Sequence, residues 1–195
     1  MIAERDNCRP ARREDANVLA ELVNYAGEGM PLYLWSKLAD AGETAWDVGR
    51  RRAAREEGAF SYRNATIIEH EESAAGCLIG YAISDEPEPV SADLPAMFVP
   101  LQELENLAPG TWYVNVLAVL PKYRSLGLGS QLLRLADKTG HKLGKRGMSV
   151  IVSDANPGAR KLYERLGYRE VARRGMVKED WITEGREWVL LTKAL

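Results

Sequence analysis

The order of apolar runs and breaks along this chain predicts a mixed α/β fold. Three observations carry the prediction. Apolar residues recur at helical spacing up to about Ser61, two short apolar runs separated by a polar turn follow, and after Thr111 strand-like and helix-like segments alternate. At 195 residues and 46% hydrophobic, the chain can bury one self-sufficient core, so a single domain over 1–195 is expected, with 1–61 helical and 62–195 bearing the sheet.

The elements follow in order. In REDANVLAELVNYAG, Val18, Leu19, Leu22, Val23 and Ala26 fall on one helical face and Gly27 ends the run. Pro31 opens a second short helix carrying Leu34, Trp35 and Leu38, since proline is tolerated in a first turn. Thr44 caps a third segment, Ala45 to Glu57, closed by Gly58. ATIIEH and GCLIGYAIS, with the polar tract Glu71 to Ser73 between them, read as a hairpin. The stretch from Asp85 to Pro109 has five prolines, which make it a connecting excursion with a helical turn around Leu101 to Leu107. TWYVNVLAVL is nearly continuously apolar, as a buried central strand would be. A helix Gly129 to Leu143, a strand Met148 to Val152, a helix Pro157 to Leu166 and strands near Tyr168 to Val177 and Glu187 to Thr192 complete the order.

Composition excludes several functions. A net charge of −2, from 26 basic and 28 acidic residues, supplies no global field for nucleic acid. Cys8 and Cys77, with only His70 and His141 to help, make neither a disulfide framework nor a metal site. The opening MIAERDNCRPARRED lacks the apolar core of a signal peptide, and no apolar run nears the roughly 20 residues of a membrane span. A cytoplasmic protein with no membrane partner is expected.

One stretch points to chemistry. PKYRSLGLGSQLLRLAD places Arg124, Gly127, Gly129 and Ser130 between the strong strand and a leucine-rich helix. A glycine-rich turn there presents backbone N–H groups that no intrahelical carbonyl accepts, at the positive end of the helix dipole, which suits an anion. An ordinary strand-to-helix hinge is the other reading of the same residues. The dinucleotide fingerprint G-x-G-x-x-G fails because Leu132 stands at its last position, and the G-K-[ST] ending of a Walker loop is missing.

VNVLAVLPKYR feeding RSLGLGSQLL resembles the cofactor-binding signature of the GNAT superfamily of acyl-CoA N-acyltransferases. NPGARKLYERLGY is similar to that family's following motif, N-x-x-A-x-x-L-Y-x-x-x-G-F/Y, with Asn156, Ala159, Leu162, Tyr163, Gly167 and Tyr168 in register. The resemblance covers Thr66 to Thr192 by element order and rests on motifs from Val114 to Tyr168. It implies a mixed, mostly antiparallel central sheet with flanking helices and a V-shaped split between the two central parallel strands. Acetyl-CoA would be the co-substrate, with no metal. Backbone groups of Leu117, Ala118 and Val119 would pair with the pantetheine amides, and the turn formed by Arg124, Ser125, Leu126, Gly127, Leu128, Gly129 and Ser130 would hold the pyrophosphate. Asn156 would contact the pantetheine arm, and Ala159 would keep the helix surface low enough for the arm to pass.

Attack of an amine on a thioester needs a deprotonated amine, an oxyanion donor and a proton for the leaving thiolate. The family position of Tyr163 is beside the cofactor sulfur, and a phenol of ordinary pKa near ~10 is protonated at neutral pH; packing in the core is its other reading. The oxyanion donor would be the N–H of Leu117 or Val119. Relatives place a glutamate early in the central strand, where this chain has Tyr113 and Asn115. The base is therefore left open among Glu28, Glu103, Glu105 and a water relay. Tyr33, Trp35, Trp46 and Tyr62 lie where acceptors dock in the family, or are core aromatics. The expected activity is acetyl-CoA-dependent N-acetylation of a small-molecule or protein amine. The alternatives are another acyl group, an O-acyl acceptor, or a non-catalytic acyl-CoA sensor. Either a monomer or a homodimer fits, with EWVLLTKAL as an apolar strand able to pair or pack.

Overall fold

The computed structural model describes residues 7–195, so the part of the polar opening that spans 1–6 lies outside the described residues. The chain forms two compact units. The first holds the described residues up to Ile79 together with Val116–Leu132. It begins with a short strand, β1 (Cys8–Pro10), where the sequence predicts helix. Nothing in Cys-Arg-Pro alternates; the strand exists through its partner β2 (Ala65–His70), with Cys8 opposite Ile68 and Pro10 opposite Thr66. Proline is tolerated because β1 is an edge strand. Arg9 fixes the edge by bonding Asp15 at 2.7 Å and Glu69 at 2.6 Å.

Three helices follow as the sequence predicts. α1 (Ala16–Ala26) buries Leu19, Ala20, Leu22 and Val23 on one face. α2 (Met30–Ser36) carries Pro31 in its first turn. α3 (Ala45–Ala53) starts in a capping box: Thr44 Oγ1 accepts the Asp47 N–H at 3.2 Å and the Asp47 carboxylate accepts the Thr44 N–H at 2.9 Å. It ends at Ala53 rather than Glu57. The Ser61 hydroxyl donates to the Arg55 carbonyl at 2.6 Å and the Arg55 side chain donates to the Phe60 carbonyl at 2.9 Å, which turns the chain early. Trp35 lies over Gly49, where a Cβ would come within 2.5 Å of the indole, and stacks on Phe60 at 5.8 Å. With Leu19, Leu22, Val48, Ile67 and Ile79 it forms the core of this unit, each large side chain contributing about 1.5–3 kcal/mol of burial. Trp35 is therefore a packing residue.

β3 (Ser73–Ala82) begins earlier than GCLIGYAIS and joins β2 through Glu71 and Glu72, whose φ angles are 49° and 61°. A two-residue hairpin turn with both residues left-handed matches the strand twist, and here two glutamates adopt it in place of Asn-Gly. β3, β4 (Thr111–Val119) and α5 (Leu128–Lys142) each run through both units.

The second unit holds Gly80–Asn115 and Leu133–Leu195. The proline-rich excursion contains α4 (Val99–Glu105), which packs on β6 (Arg169–Gly175). Gly80 leaves its strand face bare for the Trp112 indole, which occupies the place a Cβ would take. β5 (Gly147–Ser153) runs parallel to β4, paired from Thr111↔Gly147 to Val114↔Val150. The ladder stops there, although β4 continues to Val119 and β5 to Ser153. α6 (Pro157–Arg165) follows β5, and β7 (Glu187–Ala194) pairs antiparallel with β5 on one side and β6 on the other. EWVLLTKAL thus has both its edges occupied within the chain. The full strand order is β1-β2-β3-β4-β5-β7-β6, mostly antiparallel with β4 and β5 the parallel pair. Among the described residues no helix is long and apolar enough to cross a membrane.

Candidate functional site

In the first unit the end of β4 leads into the glycine turn. The Tyr123 N–H bonds the Leu120 carbonyl at 2.9 Å and the Arg124 N–H bonds the Pro121 carbonyl at 3.2 Å, closing one tight turn. Ser125 and Gly127 then take left-handed φ angles of 64° and 79°, and α5 starts at Leu128. Alternating hands along successive residues aim their N–H groups to one side, the geometry of an anion nest. Both predicted glycines are in this segment, but their roles differ. Gly129 lies in the first turn of α5, and the second left-handed position belongs to Ser125, a residue whose sequence gives no such sign.

The segment fits a polyphosphate. A Cβ on Gly127 would meet nothing within 4 Å, so the backbone faces open space. The helical ladder opens with the Gln131 N–H on the Gly127 carbonyl at 3.1 Å, leaving the Leu128 and Gly129 amides ahead of any intrahelical acceptor. The sequence contains no Asp or Glu between Glu105 and Asp137, while Lys122, Arg124 and Arg134 all fall in that window. The Arg124 side chain folds back to donate to the Val119 carbonyl at 3.2 Å, holding its positive charge at the turn. Leu117 and Val119 are half-buried and Ala118 is buried, its carbonyl close enough to β3 that only glycine suits position 76. Glu28, one of the base candidates, lies in this unit at a left-handed position between α1 and α2.

In the second unit the residues of the other motif share α6. Asn156 is its N-cap: the side-chain oxygen accepts the Ala159 N–H at 3.1 Å, so the motif asparagine and alanine together start the helix. Two turns on, Tyr163 is 5% exposed, with its ring 5.7 Å from that of Tyr168. Burial pushes the Tyr163 phenol well above the ordinary tyrosine range, so it holds its proton at any physiological pH.

Tyr113 stands on β4 where the family resemblance implies a carboxylate. Its phenol is driven up by burial first and then by the charges of Glu105, Tyr81 and Tyr163. Its ring meets that of Tyr81 edge to face at 5.3 Å, and the Tyr81 hydroxyl donates to Glu105 Oε2 at 3.0 Å. Burial and the nearby charge of Glu88 hold the Glu105 carboxyl above the usual carboxylate range, against the lowering effect of the Tyr81 bond. Tyr81 and Glu105 both line a cavity of about 250 Å³, together with Glu86, Glu88, Gln102 and Asn106. Glu103, two residues before Glu105, instead pairs with Arg174 at 2.6 Å. Of the two predicted carboxylates on α4, one is neutralised by a cation and the other faces a phenol. Sequence reasoning missed Tyr81 altogether, because its link to Glu105 spans 24 positions.

Among the described residues no group of three or more His, Cys, Asp or Glu side chains gathers as a metal site. Burial pushes the Cys77 thiol up to about 12, which leaves it unreactive.

No curated protein matches the chain by sequence. Among solved structures, an acetyltransferase aligns with a TM-score of 0.67 at 25% identity, covering 96% of this chain and 98% of its own. An N-acetyltransferase from Staphylococcus aureus Mu50 aligns at 0.67 and 22% identity over 95% and 98% of the two chains. A GNAT family acetyltransferase from Elizabethkingia anophelis, solved with acetyl-CoA bound, aligns at 0.60 and 16% identity over 98% and 100%. The sequence model of the acetyltransferase (GNAT) family matches residues 32–168, which take in the glycine turn and α6, and the chain belongs to that family.

Proposed function

We propose that the protein is an acetyl-CoA-dependent N-acetyltransferase that moves the acetyl group to a primary amine of a small molecule or peptide by direct attack on the thioester. The observation that carries this reading is the Arg124 to Ser130 turn, with two left-handed residues, exposed backbone and no acidic side chain nearby in sequence. Its amides and Arg124 hold the pyrophosphate, and the backbone of Leu117, Ala118 and Val119 pairs with the pantetheine arm as an added strand would. Acetyl-CoA supplies an activated acyl group on a good leaving sulfur. Tyr163 donates the proton that the departing thiolate requires, and its phenol carries that proton at neutral pH. Asn156 and Ala159 set the start of α6 and so fix where Tyr163 points. The N–H of Leu117 or Val119 is the oxyanion donor.

The test is release of free thiol from acetyl-CoA by purified protein with a panel of primary amines: tyramine, spermidine, an aminoglycoside and a peptide with a free N-terminus. Amine-dependent release is expected. Tight binding of acetyl-CoA without release across the panel would assign the protein to acyl-CoA sensing instead.

A further inference from the structure

Acetylation of an ammonium yields an amide, a thiol and one free proton, and that proton needs an acceptor. One C–N bond forms and one C–S bond breaks, with the electron pair leaving on sulfur. Of the two protons the nitrogen loses, one replaces the proton Tyr163 gives to sulfur; the other must leave the site. We infer that Glu105, reached through the Tyr81 hydroxyl, is the acceptor of that departing proton. The inference rests on the N-acetyltransferase reading.

Three elements of the second unit meet here: Tyr81 on β3, Glu105 on α4 and Tyr113 on β4. The Tyr81–Glu105 hydrogen bond is 3.0 Å and the Tyr81–Tyr113 ring contact is 5.3 Å. A phenol that stays neutral relays a proton by accepting one and passing on its own, and the carboxylate it donates to, here Glu105, ends the path. The cavity that Tyr81 and Glu105 line gives the carboxyl a way to discharge to solvent. The charged and titratable groups that act on Glu105 are Tyr81 and Glu88; Glu103 on the same helix is committed to Arg174. Glu105 acts on the substrate only through the Tyr81 phenol, so it is a positioning residue of the proton path rather than a group in contact with the acceptor.

The experiment pairs a titration with kinetics. In cofactor-free protein labelled with carboxyl-¹³C glutamate, the Glu105 resonance is identified by its loss in Glu105→Gln. It is expected to titrate above the ordinary glutamate range, higher still in Tyr81→Phe, which loses the donor, and lower in Glu88→Gln, which loses the repelling charge. For the acetylation of tyramine or spermidine, Glu105→Gln should lower turnover about 100-fold. Glu105→Asp should recover part of the loss, and Glu88→Gln should move the acid limb of the pH profile to lower pH. A wild-type protein that releases no thiol with any amine overturns the acetyltransferase reading and the relay with it. An active wild type with an unchanged rate and pH profile in Glu105→Gln overturns the relay alone. Should Glu105→Gln not fold, the acid limb of Glu88→Gln decides: a downward shift supports the relay and an unmoved limb overturns it.

Discussion

The Arg124 to Ser130 turn and the Tyr81, Tyr113, Tyr163 and Glu105 group are built in opposite ways. The turn is exposed from Arg124 to Gly127, made of backbone and contained in seven consecutive residues. The phenol group is made of side chains drawn from four elements, with Tyr113 and Tyr163 buried and Tyr81 and Glu105 half-buried. An anion can be held by amides and a helix dipole because each adds a little and tolerates water. Proton chemistry needs a few groups whose affinities for a proton are shifted, and burial is the largest cause of the shifts in this group. The two constructions should therefore fail differently when altered.

The largest effect belongs to the phenol group. Tyr163→Phe should lower turnover by about 10²–10⁴-fold while acetyl-CoA affinity stays within a few-fold, measured by steady-state kinetics and calorimetric titration. Equal turnover in the variant would place the phenol in a packing role. Next is the turn. Gly127→Val forces a β-branched residue to a φ of 79° and should weaken acetyl-CoA binding about 10- to 100-fold, or ~1.4–2.7 kcal/mol. Gly129→Ala, at a helical position, should cost less than Gly127→Ala; a reversed order would remove the distinction drawn between the two glycines. Gly80→Ala drives a methyl into the Trp112 indole and should destabilise the fold by about 1–3 kcal/mol in denaturant titration.

The smaller effects concern stability and pH. Glu105 binds its proton more tightly in the folded chain than in the unfolded one. The stability this confers is complete below the ordinary glutamate pKa of about 4.3 and is lost as pH rises through the raised folded value. Melting temperature should decline over that window, and Glu105→Gln should flatten the decline; an identical profile in the variant would contradict it. In the exposed turn, Ser125→Gly relieves a left-handed serine and should change stability by no more than ~1 kcal/mol, a gain readable as a small rise in melting temperature.

The contrast also explains what could be read from the sequence. α1, α2 and the start of α3 carry their own spacing, proline and cap, and form where those signals place them. β1 has no pattern of its own and exists because β2 offers an edge, and α3 ends early because Ser61 and Phe60 claim Arg55 from outside the helix. In the candidate site, the glycine turn and the α6 motif were legible as consecutive residues. Ser125 was not, since its left-handed backbone is imposed by the turn around it. Nor could sequence separate Glu103 from Glu105: two positions apart on one helix, they are distinguished by Arg174 and Tyr81, which arrive from β6 and β3.

The placement of β7 sets the order of events during synthesis. β6 leaves the ribosome before β7, yet in the finished sheet it touches β5 only through β7. Until Glu187–Ala194 has emerged, β5 and β6 both present open edges, and the phenol-bearing helix between them has an incomplete sheet to rest on. The second unit should therefore remain protease-sensitive on a stalled nascent chain and become resistant only once its last strand is free to insert.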